Sequence, residues 1–223
     1  MNPELHVSQQ YNLLVDKAFS SPSFLRGIYI VPRPSDVFVW DGIIFVRSGL
    51  YTKGVFRFQV VFPRVYVPMV HKPLFRFSTE IYHPLVDKDT GEVHSDLVFD
   101  PSSQVPDSEK VITFLTDLFS LSNISSAHIL NKTAFKQYQS FLIEKDSGKE
   151  TDDIPFLVHV RFCVVRSMED ATNEIPNCAI NCQEILSNEM KSQIVNSLSN
   201  TNLKEINWED YFETLLNVQE ILK

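Results

Sequence analysis

The residues whose types could do chemistry in this chain are concentrated between His83 and Asp96. Histidine, serine and aspartate occur there together, and these side chains form hydrolytic triads and oxygen- or nitrogen-ligated metal sites. The candidate triad is His94 and Ser95 with Asp96, His83 or, shortly after the segment, Asp100. The candidate metal ligands are His83, Asp87, Asp89, His94 and Asp96. No rigid spacing links them, and nothing nearby supplies an oxyanion hole or positions a base. We therefore interpret the segment as a solvated loop, with His94 on its surface and His83 bonding the loop backbone beside Pro84.

Cysteine, the other common nucleophile, occurs only late in the chain, at positions 163, 178 and 182. An odd number of cysteines without a secretion signal is typical of reduced thiols in a cytosolic protein. Cys178 and Cys182 could share a zinc ion, but no second pair of ligands stands nearby, so we expect ordinary free cysteines. The six glycines form no G-x-G, which excludes dinucleotide and phosphate loops. We expect neither a cofactor nor a metal.

The composition predicts a hydrophobic core and argues against nucleic acid and membrane as direct partners. Hydrophobic residues make up 43% of the 223 residues, which is enough for a substantial core, and 17 phenylalanines predict aromatic packing within it. The net charge of −8 and the absence of a Lys/Arg run argue against nucleic acid as a partner. No apolar stretch approaches the length of a membrane span, so direct membrane insertion is not expected.

The hydrophobic pattern predicts an α+β fold in which a helix precedes a four-stranded antiparallel meander and further helices follow. The first helix is expected over 8–20 with Ser8 as its N-cap. The strands are expected over 27–31, 37–46, 55–62 and 74–77, with helices over 111–121, begun by Asp107 or Ser108, and over 131–143. In the third strand Phe56, Phe58, Val60 and Phe62 share one face, while Arg57 and Gln59 share the other. Trp40 and Phe56 should be buried. The segment 83–106 is expected to be a long irregular loop.

Two later segments are harder to interpret. Residues 155–166, PFLVHVRFCVVR, alternate like a strand but follow two helices, and periodicity alone does not decide between the two structures. After a Ser/Asn-rich break, a last helix capped by Asn207 carries a wide apolar stripe. We define the tail stripe as Trp208, Tyr211, Phe212, Leu215 and Leu222. The tail stripe either faces a core or is a candidate partner-binding surface, because such aromatics dominate binding hot spots.

Two segments of the sequence resemble segments of a known family. GLYTKGVFRFQVVFP (49–63) and PLFRFSTEIYHP (73–84) resemble the corresponding segments of ubiquitin-conjugating enzymes, and Asn131 and Ala134 match the start of a late helix in that family. The match extends over residues from about 8 to 168. It implies the ubiquitin-conjugating-enzyme-like fold, a last helix over 155–168, and a division into a variant domain, 1–168, and a helical C-terminal extension, 169–223.

The same resemblance implies that the reaction is absent. The family follows His-Pro with an asparagine that helps to hold the oxyanion, and this chain has Leu85 there. Where the family carries its ubiquitin on a cysteine, this chain has His94, with Ser95 beside it. Thioester chemistry needs a thiolate, so the resemblance implies a degenerate site and no enzyme activity. The hypothesis that the protein is an enzyme with a nucleophile other than cysteine is the least favoured of the three functions considered.

A narrower resemblance appears in FVWDGIIFVRSGLYTKGVFRF (38–58) and HPLVDKDTGE (83–92). Both are similar to the family of the fused toes homologue, or AKT-interacting protein. That similarity implies a cytoplasmic adaptor bound to a Hook-family coiled-coil protein, a Hook-interacting protein and an AKT-type kinase. Through these partners it would associate peripherally with endosomes and link dynein to cargo on microtubules. The alternative is a variant that binds ubiquitin noncovalently as cofactor of an active conjugating enzyme.

Overall fold

The structure is a computed structural model that describes residues 3–21, 24–25, 27–65, 72–99, 108–121, 124–147, 154–171, 173 and 175–180. The predicted helices after residue 180, including the tail stripe, lie outside the described residues. So does Cys182, and with it the pairing of Cys178 and Cys182 at a zinc ion.

Four antiparallel strands form one sheet in the order β1-β2-β3-β4, which confirms the predicted meander. Their bounds are Ile28–Arg33 for β1, Asp36–Phe45 for β2, Val55–Val61 for β3 and Leu74–Phe77 for β4. Trp40 of β2 lies opposite Val60 of β3, and Val60 lies opposite Phe75 of β4. The sheet register therefore places apolar side chains of neighbouring strands on one shared face, which we call the inner face.

Five α-helices are described. They are α1 (Pro3–Ser20), α2 (Ser95–Val98), α3 (Ser108–Ser120), α4 (Lys132–Asp146) and α5 (Pro155–Asp170), with a 3-10 helix at Ser126–His128 between α3 and α4. The predicted start of α1 at Ser8 is wrong. Val7 is buried with Leu14 two turns later, so the core-facing side of α1 begins before Ser8.

The predictions for the segments 155–166 and 83–106 have different outcomes. The segment 155–166 is helical, as the position after two helices indicated, and α5 extends to Asp170. The loop from His83 is less irregular than predicted, because α2 forms within it. A helix of four residues contains barely one turn, so no apolar periodicity marks it in the sequence.

Aromatic rings fill the space between the inner face and helices α1 and α3. Trp40, Phe56 and Phe75 have no exposed side-chain surface, and Phe58 is 1% exposed. Phe56 stacks on Phe119 of α3, with 5.2 Å between ring centroids, and Phe58 stacks on Phe75 at the same distance. The phenylalanine-rich core and the burial of Trp40 and Phe56 are thus confirmed.

Replacing Phe56 by Ala should lower the free energy of unfolding by about 3–5 kcal/mol, because a fully buried ring leaves a cavity between β3 and α3. Chemical denaturation of the purified chain measures this change. Phe19→Ala is the matched control, since Phe19 is 81% exposed and should change stability by less than about 0.5 kcal/mol. Equal effects of the two substitutions would contradict the assignment of Phe56 to the core.

Candidate functional site

The loop after β4 is anchored by a buried histidine. His83 is fully buried, its Nδ1 accepts a hydrogen bond from the Leu85 amide at 3.0 Å, and its Nε2 lies 3.2 Å from the carbonyl of Leu118 in α3. Because Nδ1 accepts, Nε2 carries the proton and donates it to Leu118. Burial lowers the pKa of His83 to about 3, so the ring is neutral. The predicted backbone-bonding role of His83 is what the structure shows.

Backbone contacts around Pro84 fix the loop against α4. The carbonyl of Pro84 accepts hydrogen bonds from the amides of Leu130 and Asn131 at 3.1 and 3.0 Å. The side chain of Asn131 in turn accepts from the Ala134 amide at 2.9 Å, which makes Asn131 the N-cap of α4. The side chain of Leu85 is 5% exposed and belongs to the hydrophobic core. At this position the loop therefore presents no side-chain hydrogen-bond donor.

Asp87 organises the tight turn that follows. Its carboxylate accepts hydrogen bonds from the amides of Asp89 and Thr90 and from the Thr90 hydroxyl, at 3.0, 2.8 and 3.0 Å. These bonds, those from Thr90 first, lower the pKa of Asp87. Gly91 has φ of +72°, and a Cβ there would lie 2.2 Å from the carbonyl oxygen of Phe77. Asp87 therefore shapes the loop, and no cluster of three metal-ligating side chains occurs within the described ranges.

Among the polar side chains described at the end of the loop, up to residue 99, no hydrogen-bonded triad of serine, histidine and carboxylate forms. His94 is exposed and its ring faces that of His128, with 5.6 Å between centroids and 66° between planes. Asp96 is ion-paired with Lys72, and this hydrogen bond lowers the pKa of Asp96. Asp96, one carboxylate that could orient His94, is thus engaged by a lysine, and Ser95 lies in the first turn of α2. The other candidate carboxylate, Asp100, lies outside the described residues.

His128 and Lys72 were not identified from the sequence as neighbours of this loop. His128 lies in the 3-10 helix and Lys72 lies just before β4. Both come from segments without apolar periodicity, so only the tertiary fold shows that they approach His94 and Asp96.

A second polar arrangement lies on the outer face of the sheet, opposite the aromatic core. Asp41 is 1% exposed and accepts hydrogen bonds from Arg33 at 2.8 and 3.0 Å, from Gln59 at 2.9 Å and from the Ala179 amide at 2.8 Å. Burial alone raises the pKa of Asp41, but the bonds from Arg33, Ala179 and Gln59 outweigh it and leave the pKa below its ordinary value. Asp41 is therefore a charged anchor for residues that follow α5.

Arg57 completes this arrangement from the neighbouring strand. It is 3% exposed and donates to the carbonyls of Ala171 and Ile180 at 2.7 and 2.8 Å. The sulfur of Cys178 lies 3.9 Å from the same guanidinium group. The chain thus crosses the outer face after α5, and the side chains that hold it recognise mainly backbone atoms. Sequence patterning places Arg57 and Gln59 on this face but does not reveal what covers them.

Residues 18–145 match the family model described as "Ubiquitin-conjugating enzyme". The chain is 30% identical to the protein crossbronx homolog of Anopheles gambiae over 163 residues, which are 67% of this chain and 71% of that protein.

Shorter matches reach higher identity. The chain is 40% identical to the crossbronx homolog of Culex quinquefasciatus over 80 residues, which are 36% of this chain and 35% of that protein. It is 39% identical to the AKT-interacting protein of Rattus norvegicus over 84 residues, which are 38% of this chain and 28% of that protein. These two matches thus span about a third or less of the relatives' lengths.

The buried neutral His83 makes a prediction about acid stability. Its pKa in the folded chain, about 3, lies below the ordinary value of 6.5, so between these values the unfolded chain binds a proton that the folded chain does not. The stability that depends on the neutral ring is complete above pH 6.5 and is lost as the pH falls toward 3. One such proton changes the free energy of unfolding by about 1.4 kcal/mol per pH unit.

Urea denaturation of wild type and His83→Gln between pH 7 and pH 4 measures this contribution. The variant should be less stable at neutral pH and should lack that part of the slope. Phe19→Ala, which removes an exposed ring that does not titrate, should keep the wild-type slope. A slope that is the same in His83→Gln and wild type would show that His83 is not the group that titrates.

Proposed function

Because the chain belongs to the ubiquitin-conjugating enzyme family, we propose that it is a member that forms no thioester and serves as a non-catalytic adaptor. The observation that carries this proposal is the absence of cysteine from the matched segment, 18–145, since the only cysteines lie at 163, 178 and 182. Ubiquitin transfer in this family needs a thiolate.

The site geometry supports the same conclusion. By the sequence resemblance, His94 takes the place of the thiol and Leu85 takes the place of the asparagine that assists the oxyanion. His94 lies on the surface against another imidazole, and Leu85 has its side chain in the core. The two positions therefore offer neither a sulfur nucleophile nor an amide donor.

The cysteines outside the matched segment are poor substitutes. Cys163 is 5% exposed in the core-facing side of α5, and burial raises its pKa to about 11, so it stays a thiol at neutral pH. A buried thiol is unreactive because neither the thiolate nor access is available. Cys178 lies beside Arg57 on the outer face of the sheet.

The narrower sequence resemblance supports the proposed adaptor role. A relative that is 39% identical over 84 residues is named for an interaction with AKT, and we propose an AKT-type kinase as one partner of this chain. The segments 38–58 and 83–92 support a Hook-family coiled-coil protein and a Hook-interacting protein as the others. The proposed assembly links dynein to endosomal or vesicular cargo, and the protein associates with it from the cytoplasm. Within the described ranges no helix has the length and hydropathy of a membrane span.

The proposed domain division is a variant domain at 1–168 and a C-terminal extension at 169–223. The contacts of Ala171 and Ala179 with the outer face of the sheet show that the first residues after α5 pack on that domain. The tail stripe, Trp208 to Leu222, is our candidate partner-binding surface in the extension.

A ubiquitin-charging assay tests the prediction that the chain forms no thioester with ubiquitin. With activating enzyme, ATP and ubiquitin, the wild-type chain should form no reductant-sensitive band on a non-reducing gel. His94→Cys supplies a nucleophile, yet transfer to lysine should remain about a hundredfold or more below that of an active family member, because Leu85 provides no oxyanion donor. A thioester on the wild-type chain, or rapid transfer by His94→Cys, would refute the proposal.

Capture of a partner tests the adaptor role. The full chain, immobilised, should retain a purified Hook-family coiled-coil segment. Trp208→Ala with Phe212→Ala should weaken this binding at least tenfold, since a hot-spot aromatic contributes about 2 kcal/mol or more. The melting temperature should stay unchanged. Lower melting with a proportional loss of binding would instead place the tail stripe in a core.

The same assay includes ubiquitin as a second analyte. The chain could bind ubiquitin noncovalently and fail to retain the Hook-family segment. This result would favour the alternative function, a cofactor of an active conjugating enzyme, over the adaptor function. Absence of both would remove both functions.

A further inference from the structure

The described residues that follow α5 lie across the outer face of the sheet. We call residues 175–180 the strap. Asp41 and Arg57, which are 1% and 3% exposed, hold the strap from the sheet. The carboxylate of Asp41 accepts a hydrogen bond from the Ala179 amide at 2.8 Å, and the guanidinium of Arg57 donates to the Ile180 carbonyl at 2.8 Å. Both strap atoms belong to the main chain, so the sheet recognises groups here that almost every peptide presents.

The strap itself is bound at a shallow depth. The structure describes all six of its residues, and none of them is buried, since Pro176 and Asn177 are exposed and the other four are half-buried. The strap therefore removes little apolar surface from water, although the charged groups that hold it are almost fully buried. Segments with few buried apolar contacts open locally at a lower cost in free energy than the domain core.

A turn within the strap allows it to move as one unit. The Cys178 amide donates to the Ile175 carbonyl at 3.1 Å, and Pro176 and Asn177 occupy the two central positions of this turn. Asn177 has φ of +59°, a conformation that asparagine tolerates, and proline followed by a residue of positive φ is the pattern of a type II turn. Because the turn is closed by neighbouring residues, it does not require contact with the sheet.

The charged groups beneath the strap keep other partners when the strap leaves. Asp41 retains the hydrogen bonds from Arg33 and Gln59, and Arg57 retains its bond to the Ala171 carbonyl at 2.7 Å. The two hydrogen bonds to the strap are exchanged for bonds to water, and such an exchange changes the free energy only modestly. Release of the strap thus leaves no buried charge uncompensated.

We propose that Asp41 and Arg57 form a peptide-binding site on the outer face of the sheet and that the strap is its reversible occupant. The strap opens without unfolding of the domain, and a short peptide segment of another protein then takes its place. The carboxylate needs a donor and the guanidinium needs an acceptor at adjacent positions, which successive peptide units present. The site shares no residue with the tail stripe, so its test does not depend on the adaptor function.

Hydrogen exchange of the wild-type full chain tests the opening. It is followed by NMR at several urea concentrations below the unfolding transition, with correction for intrinsic rates. The Ala179 amide should exchange more slowly than in an unstructured peptide, yet at least tenfold faster than the hydrogen-bonded amides between β2 and β3. Its exchange should also depend less on urea, because opening the strap exposes less surface than unfolding.

Two results of this measurement would overturn the proposal. If the Ala179 amide shares the exchange rate and the urea dependence of the amides between β2 and β3, the strap opens only when the whole domain unfolds. If the amide exchanges as fast as in an unstructured peptide, Asp41 does not hold the strap.

A substitution in the strap tests which bond holds it closed. Ala179→Pro removes the amide that Asp41 binds, and Ala179→Ser is the matched control because it keeps that amide. The Cys178 amide should exchange at least tenfold faster in Ala179→Pro than in Ala179→Ser, since a turn alone protects an amide only weakly. The amides between β2 and β3 should exchange alike in both variants. A melting temperature several degrees lower in Ala179→Pro alone would show that the strap is an integral part of the domain.

A synthetic peptide is the probe for the site. It has the sequence of residues 173–182 with serine in place of both cysteines, and its binding to the full chain is followed by the NMR shifts of Asp41 and Arg57. It should bind Ala179→Pro at least tenfold more tightly than Ala179→Ser, because in the serine variant the strap competes for the site. The same peptide with an N-methylated alanine at the place of Ala179 lacks the donor and should not bind.

Every outcome of the peptide titration decides for or against the proposal. Binding to Ala179→Pro that requires the free amide supports it. Equal binding of the peptide to both variants would show that the strap does not occupy the site. Equal binding of the methylated and unmethylated peptides, or no binding of either, would show that Asp41 and Arg57 form no site for a peptide main chain. Should Ala179→Pro fail to fold, the exchange of the wild-type chain still decides whether the strap opens by itself.

Discussion

Strand β3 is buried on both faces, and the charge of Arg57 on its outer face has to be compensated within the protein. The inner face carries Phe56 and Phe58, which pack on aromatic rings, whereas Arg57 is 3% exposed and cannot rely on water. A buried guanidinium is tolerated only where oxygens accept its hydrogens. The carbonyls of Ala171 and Ile180 do so at 2.7 and 2.8 Å. The described residues after α5 therefore cover part of the outer face of the sheet and compensate the charge of Arg57.

A few hydrogen bonds hold the loop that follows β4. His83 joins the Leu85 amide to the Leu118 carbonyl as a neutral ring, so it fixes geometry without moving a proton at neutral pH. Pro84 and Asn131 tie the same loop to α4. Hydrogen bonds thus tie the beginning of the loop to both α3 and the N-terminus of α4. Two of its carboxylates are nevertheless engaged in structural contacts. Asp87 accepts hydrogen bonds within the turn, and Asp96 forms an ion pair with Lys72.

Features determined by local pattern could be predicted, and features that depend on distant pairing could not. The bounds of β3 and β4 follow from alternating aromatic residues next to proline or glycine, and the structure agrees to within one residue. The backbone-bonding role predicted for His83 is present in the structure, and the full burial of the ring is what requires protein partners for both nitrogens. The bond from the Ala179 amide to Asp41 joins residues 138 positions apart, and no periodicity records such a pair. His128 approaches His94 in the same way, through the fold alone.

The sequence pattern of residues 155–166 fits both a helix and a strand, and this ambiguity has a physical cause. A helix with one apolar face repeats its hydrophobic residues at a single period of about 3.6. In α5 the buried Val160 and Val164 are interleaved with the exposed Val158 and Phe162, and together they alternate as a strand would. The strand-like pattern thus arises because two apolar faces are superimposed on one helix. In the described part of the chain the domain buries one of these faces, and on the other Val158 and Phe162 are 48% and 66% exposed. Periodicity counts apolar residues on both faces alike, so it could not separate this helix from a strand.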